Sequence, residues 1–268
     1  WRANPVRGEI PIAIDSIPPL LMYSDNDDTV VKELYWTGFR GWERTSVHLW
    51  GRIAAAVSPG LVLDVGCYSG IYSLIAAKAN ASHRVLAIDI QPRCLARVEQ
   101  NRALNGVANI DTVHAACVDT IGSIRYFYYE DRDVLSSIAS VEPKPINDRS
   151  ADAPALTIDG LIEGEDPSMP VTLVKIDVEG AESKTLRGAT AMLERHRPDV
   201  LIEINDPRTV GSIGKLFPRG YTCYSIDELH PRVRRIGYFG KPFDNRNFFF
   251  SVRPASQVAE LADWSTSG

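Results

Sequence analysis

The strongest constraint on this chain is an alternation, maintained from residue 61 to residue 205, of short β-branched apolar runs with stretches of helical periodicity. Residues 61–65, 84–89, 110–117, 171–177 and 199–205 read as buried strands, with 124–129 as a further, aromatic-rich one. Residues 71–79, 92–104 and 181–196 read as the helices between them, the second carrying Pro92 near its start. Strands separated by helices return to the sheet by crossovers, so they pair in parallel with helices on both faces. Residues 221–226 and 247–252 add an antiparallel pair at the sheet edge, with Phe248, Phe249 and Phe250 as buried strand. The expected fold is therefore α/β: a Rossmann-like, mostly parallel seven-stranded sheet.

The remainder supplies the extension and the connections. Residues 1–30 read as irregular, because Pro5, Pro11, Pro18 and Pro19 interrupt every apolar stretch. Residues 31–57 read as one cap helix with Trp42, Val47, Trp50, Ile53 and Val57 on its apolar face, and 141–154 reads as loop. This divides the chain into an N-terminal extension (1–41), a main domain (42–256) and a C-terminal tail (257–268). A net charge of −5 argues against a nucleic-acid partner, and Arg232, Arg234 and Arg235 read as a solvated surface. The four cysteines, Cys67, Cys94, Cys117 and Cys223, form no CxxC pair, so a cytoplasmic, reducing setting is expected. No apolar run approaches the roughly 20 residues of a membrane span. The sequence opens on Trp1 rather than Met, which leaves a removed targeting segment open. Oligomeric state is not legible.

The ligand signal lies where strands end. The first strand runs into Asp64-Val65-Gly66-Cys67-Tyr68-Ser69-Gly70, a turn whose glycines permit tight backbone geometry and close approach of a ligand. The dinucleotide fingerprint G-x-G-x-x-G is absent, and Asp64 would repel a pyrophosphate while accepting from an ammonium group. Asp89 ends the second strand, where a carboxylate accepts from both hydroxyls of a ribose. Asp119, just past the third strand, is placed to accept from an adenine amino group. Glu43 precedes the turn and is placed to reach the same ligand, with helix capping as its other role.

With these residues in view, the chain resembles the FkbM family of methyltransferases. The resemblance rests on Val62 through Gly70, on Thr157-Ile158-Asp159, and above all on Val174-Lys175-Ile176-Asp177-Val178-Glu179-Gly180-Ala181-Glu182. Leu186-Arg187-Gly188 and Leu201-Ile202-Glu203-Ile204-Asn205 extend it, over roughly residues 42 to 252. It implies a class I methyltransferase fold, S-adenosyl-L-methionine as methyl donor, and O-methylation of a hydroxyl on a sugar, glycolipid or polyketide-type molecule. It also implies that Gly66, Cys67, Tyr68, Ser69, Gly70 and Asp89 surround the cofactor, whose methionine ammonium is then the group Asp64 would accept from. Cys67 and Tyr68 depart from the family's small turn residues, and Asp89 stands where Glu is common.

Lys175, Asp177 and Glu179 recur at every second position as a strand ends, so they share one face while the backbone stays extended. Asp177 is the expected base or orienting group for the acceptor hydroxyl, Glu179 a positioning group, and Lys175 the cation that keeps both ionised. Glu182 reads as a helix N-terminal carboxylate. A divalent metal on Asp177, Glu203 and Asn205 is an alternative use of the same strand ends. His48 and His230 are further candidate bases by residue type, though structural roles suit them better. Tyr35, Trp36, Phe39 and Trp42 are expected to pack against the sheet rather than roof an apolar acceptor. Two other readings remain: a nicotinamide-dependent oxidoreductase on a similar sheet, and a non-catalytic interaction module.

Overall fold

A computed structural model describes residues 4–14, 17–38, 40–130, 134–236 and 245–263. The N-terminal extension, expected to be irregular, begins with an antiparallel hairpin, β1 (Arg7–Ile12) and β2 (Leu20–Asp25). Proline did not forbid it. Pro11 faces Leu21, and the Leu21 amide donates to Asn105 Oδ1 (2.9 Å) instead of to β1, so no ladder bond is lost. Asn101 Oδ1 takes the Tyr23 amide in the same way at 2.7 Å. Ile10, Ile12, Leu20 and Met22 thereby enter the same apolar core as Val62 of the central sheet.

The expected single cap helix is two: α1 (Thr29–Thr37) and α2 (Arg44–Ala56). Gly38, left-handed at φ 57°, closes α1 by donating to the carbonyls of Leu34 and Tyr35. The alternation then proceeds as expected through β3 (Leu61–Val65), α3 (Ile71–Ala79), β4 (Arg84–Asp89), α4 (Pro92–Leu104) and β5 (Ile110–His114). The run 110–117 splits, because Ala115 turns to donate to the Asp89 carbonyl and β6 (Ala116–Cys117) leaves the main sheet. With β7 (Gly122–Tyr128) and β8 (Arg149–Leu156), β6 forms a separate three-stranded sheet in the order β6-β8-β7. Part of the segment expected as loop is therefore strand. Its inward positions, Ala153 and Ala155, are too small to stand out as an apolar period of two.

After α5 (Ile158–Glu163) come β9 (Val171–Ile176), α6 (Glu182–Arg187), α7 (Thr190–His196) and β10 (Asp199–Glu203). The expected helix over 181–196 breaks at Gly188, where a Cβ would lie 2.1 Å from the Val118 carbonyl oxygen. Asp159 restarts it, its carboxylate accepting the amides of Ala191 (3.0 Å) and Met192 (2.8 Å). The chain ends with α8 (Val210–Gly214), β11 (Thr222–Asp227), β12 (Arg232–Arg235), β13 (Asn247–Ser251) and α9 (Ala255–Leu261).

Among the described residues the central sheet has eight strands, in the order β12-β11-β13-β10-β9-β3-β4-β5. The five from β10 to β5 are parallel, and β13 runs antiparallel between β10 and β11. The eighth strand is the arginine cluster, whose Arg232, Arg234 and Arg235 stay exposed on an edge. β3 and β10 are buried along their whole length because helices cover both faces. Strand order reverses between β3 and β9, which opens a crevice beyond their carboxyl ends. No helix among the described residues is long and apolar enough to cross a membrane. The expected tail residues 264–268, and Phe39, lie outside the described residues.

Candidate active site

The crevice holds a cavity of about 560 Å³. One half is built from the ends of β3, β4 and β6: Gly66, Tyr68, Asp89, Ile90, Cys117 and Val118 line it. The other half comes from β9, β10, β13 and the turn after β11, through Asp177, Glu179, Glu203, Asn247, Glu228 and Leu229. Thr29, Val30 and Glu33 of α1, with Gly41, Trp42 and Glu43 after it, form the remaining wall.

The glycine turn is shaped by the protein more than by a ligand. Gly66 has φ 82°, and a Cβ there would stand 1.7 Å from the Asp177 carbonyl oxygen, so this glycine lets β3 and β9 end side by side. Gly70 (φ 85°) admits Val98 of α4, 3.0 Å from where its Cβ would be. The turn's amides are already engaged: Gly66 and Cys67 donate to Ile88 O, Gly70 to Cys67 O, and Tyr68 to Asp89 Oδ2. Cys67 and Ser69 are buried, and neither they nor Gly70 lines the cavity. Tyr68, left-handed at φ 50°, does line it; its hydroxyl accepts from Thr29 N (3.3 Å) and donates to Leu135 O (3.2 Å).

Asp64 stands behind the wall, 1% exposed, with the Ser73 hydroxyl donating to it at 2.6 Å. Burial pushes its carboxyl up to about 6, against the pull of Ser73 and Lys175. Asp89 is the acid that faces the cavity. Each of its oxygens accepts one amide, from Tyr68 (2.9 Å) and Gln91 (2.8 Å), leaving a lone pair on each for a further donor. Burial pushes Asp89 up to about 7, despite those two amides. Asp119 lies outside the cavity and pairs with Arg187 at 2.8 Å on the surface; Cys117 and Val118 form the wall beside it.

The acidic block separates into distinct tasks. Lys175 is 1% exposed, with Nζ 3.3 Å from Asp177 Oδ2 and 5.0 Å from the Tyr72 ring centre. Burial disfavours its charge, yet Asp177, Glu43, Glu203 and Asp64 together hold it well above the usual lysine range. Asp177 faces the cavity beside Gly66, its amide donating to Val65 O at 2.8 Å. Glu179 turns away at φ 56° to meet Lys144 and the Asn205 amide, the latter at 3.2 Å. Glu182 is buried and accepts from Gly180 N (2.8 Å), at the start of α6 as expected.

The expected carboxylate set changes in one member. Oxygens of Glu43, Asp177 and Glu203 lie within 4.8 Å of one another, whereas Asn205 sides with Glu179 and Arg246. Glu43 reaches this group from a left-handed residue (φ 41°) ahead of α2, and the Tyr72 hydroxyl donates to it. It stands at the N-cap position of that helix, but its side chain makes no capping bond. Glu228, which the sequence did not single out, caps α2 through Thr45 N (2.7 Å) and Ser46 N (3.3 Å). Burial first, then the like charge of Asp177, holds Glu203 well above the usual carboxylate range. His48 is buried within α2 and His230 sits in an exposed turn; neither lines the cavity. The aromatic expectation also divides: Trp42 packs on the core, while Tyr35 and Trp36 are about half exposed.

The model of the FkbM methyltransferase domain matches residues 64–238. The ribosomal protein L11 methyltransferase of Lactobacillus johnsonii is 42% identical over 74 residues, covering 28% of this chain and 23% of that protein. Its counterpart from Rhodopseudomonas palustris is 38% identical over 82 residues, 30% of this chain and 28% of that protein. The chain thus spans about a quarter of the length of these curated relatives. Among solved structures, an FkbM methyltransferase from Methylobacillus flagellatus KT superposes with a TM-score of 0.45 at 15% identity, over 75% of this chain and 47% of that one. A ribosomal protein L11 methylase from Lactobacillus delbrueckii gives 0.41 at 19% identity, over 78% of each chain.

Proposed function

Because the chain belongs to the FkbM methyltransferase family, we propose that it is an S-adenosylmethionine-dependent O-methyltransferase acting on a hydroxyl of a small molecule or glycan. The observation that carries this reading is the facing of two acidic sites across one cavity: Asp89 on one half, and Glu43, Asp177 and Glu203 on the other. Asp89 fits a ribose, since each oxygen keeps a lone pair for a hydroxyl. Ile90, Cys117 and Val118 beside it offer a flat purine an apolar wall. The cofactor supplies an electrophilic methyl group. Asp177 orients the acceptor hydroxyl and takes its proton, which needs a carboxylate within hydrogen-bond reach of the attacking oxygen. Lys175 stands behind Asp177 as its counter-charge, 3.3 Å away, and Glu43 and Glu203 hold neighbouring hydroxyls.

The three carboxylates also offer a divalent ion oxygen ligands at compatible spacing. Lys175 already supplies a buried cation to the same group, so turnover is expected to survive EDTA. The acidic lining and the short identity to protein methyltransferases favour one second reading, an amine acceptor on a protein. Calorimetric titration with S-adenosylmethionine and S-adenosylhomocysteine, with NAD as control, in EDTA and then in magnesium, tests the cofactor. Micromolar binding of the adenosyl ligands alone is expected; NAD binding in their place would overturn the reading. Methylation of hydroxylated rather than amine-bearing acceptors then separates the two acceptor classes.

The ribose assignment has its own pH signature. Asp89 accepts from both hydroxyls only when ionised, and its carboxyl titrates at about 7. Affinity for S-adenosylhomocysteine is therefore expected to fall as pH drops below about 7, by up to about tenfold per unit. Asp89→Asn should weaken binding by about tenfold and flatten this dependence. A wild-type affinity constant between about pH 6 and about pH 8 would place the ribose elsewhere.

A further inference from the structure

A base enclosed in the cavity needs more than a flat wall. Adenine presents a donor, its 6-amino group, beside an acceptor, N1, and both lose water on burial. The backbone of the apolar wall is already engaged. Cys117 O accepts the Thr185 hydroxyl (2.7 Å), the Val118 amide donates to Leu156 O (2.8 Å), and Ile90 O meets His114 Nε2 at 3.1 Å. Asp119, the residue expected at the amino group, is paired with Arg187 outside the cavity.

Two other polar side chains hold atoms with no partner. Ser136, between β7 and β8, lines the main cavity, and its hydroxyl is buried without a hydrogen bond. It also lines a side cavity of about 200 Å³, whose walls include Gln91, Tyr126, Tyr128 and Leu135. Gln91 is 6% exposed, and its Nε2 is likewise buried and unbonded. It stands at the N-cap position of α4, yet its side chain makes no capping bond. Backbone contacts fix both residues. The Leu135 amide donates to Asp27 O (3.0 Å), Leu135 O accepts the Tyr68 hydroxyl (3.2 Å) and Ser136 O the Cys94 thiol (3.7 Å). The Gln91 amide donates to Asp89 Oδ1, which places it beside the ribose carboxylate. Buried polar atoms are paired as a rule, so two orphans around one side cavity mark an edge that a ligand completes.

We propose that Ser136 and Gln91 read the adenine of S-adenosylmethionine. The base lies on Ile90, Cys117 and Val118, its amino group donates to Ser136 Oγ, and N1 accepts from Gln91 Nε2 in the side cavity. This rests on the cofactor reading above and puts two residues where Asp119 was expected. Both lie outside the stretches that carry the family resemblance, so no motif pointed to them.

The test is a set of calorimetric titrations on wild type, Ser136→Ala and Gln91→Leu. Each protein receives S-adenosylhomocysteine, its purine analogue lacking the 6-amino group, and its 1-deaza analogue lacking N1. In the wild type each deletion is expected to weaken binding about tenfold, because it strands one buried protein group. In Ser136→Ala, loss of the amino group should cost about twofold or less while loss of N1 keeps its full cost. Gln91→Leu should show the reverse. Equal wild-type affinity for the three ligands overturns the proposal with no variant needed. A full cost for the matching deletion in either variant overturns it as well. Failure of the parent reading looks different: the wild-type protein would bind none of the three, and both readings would fall together.

Discussion

Asp177→Ala is expected to lower turnover by about a thousandfold while leaving S-adenosylhomocysteine affinity within about twofold of wild type. The two effects separate because the two sites do. Asp177 contributes a carboxylate to the acceptor half, whereas its backbone makes the structural contact, an amide bonded to Val65 O at 2.8 Å. Alanine keeps that bond, and Asp89 stays on the other half of the cavity. Asp177→Asn should fall nearly as far, since an amide still orients a hydroxyl but cannot take its proton. A residual rate is expected from Glu203. Burial and the charge of Asp177 keep the Glu203 carboxyl protonated in the wild type. Removing Asp177 relieves the second cause, so Glu203 ionises more readily and accepts protons in its place. The residual activity of Asp177→Ala should therefore rise with pH and vanish in the double variant with Glu203→Gln. Single-turnover rates beside calorimetric cofactor affinity make the measurement. If Asp177→Ala kept a third or more of wild-type turnover, Asp177 would not be the base.

The part of this arrangement that was legible in the sequence is the part governed by local periodicity. Strand cores with both faces covered are apolar throughout, so β3, β4, β9 and β10 stood out, and with them the carboxyl ends that carry Asp89, Asp177 and Glu203. Where the period is carried by small or interrupted residues, it disappears. The Ala153 and Ala155 face of β8 and the Pro11 strand of the hairpin were both read as irregular. Breaks inside helical patterns depended on distant backbone: nothing near Gly188 announces that the Val118 carbonyl will occupy the space of its side chain.

The acidic group shows the same boundary at the level of single residues. Glu203 and Asn205 share a face only while the strand continues, and β10 ends at Glu203. Ile204 already bonds to Arg246, and Asn205 swings to Glu179. Glu179 leaves the line of Lys175 and Asp177 for the same reason, its backbone turning left-handed at φ 56°. Their replacement, Glu43, comes from the cap region, and its freedom depends on Glu228 capping α2 from nearly the other end of the chain. A period of two has no means of expressing a contact between residues 46 and 228.

Lys175→Met is expected to cost about 3–5 kcal/mol of stability near pH 7.5, a fall in Tm of roughly 10 °C. Methionine fills much the same volume, so the loss measures charge. In the wild type one buried ammonium stands 3.3 Å from Asp177, with Glu43, Glu203 and Asp64 also acting on it. Taking it away leaves those carboxylates facing one another with no buried cation between them, and the cheapest response is to bind protons. Carboxyls whose folded pKa is raised above the unfolded value hold more protons in the native state, so stability falls as pH rises through that interval. Glu203 and Asp64 are already raised in the wild type by burial, and losing Lys175 raises them further. The gap between variant and wild type should thus be widest at about pH 8.5 and should narrow toward about pH 5, where protonation does what the ammonium did. Urea denaturation across that range decides between two roles. A gap that closes on acidification makes Lys175 the counter-charge that lets this chain keep ionised carboxylates in a buried site. A gap of constant size would make it a packing residue.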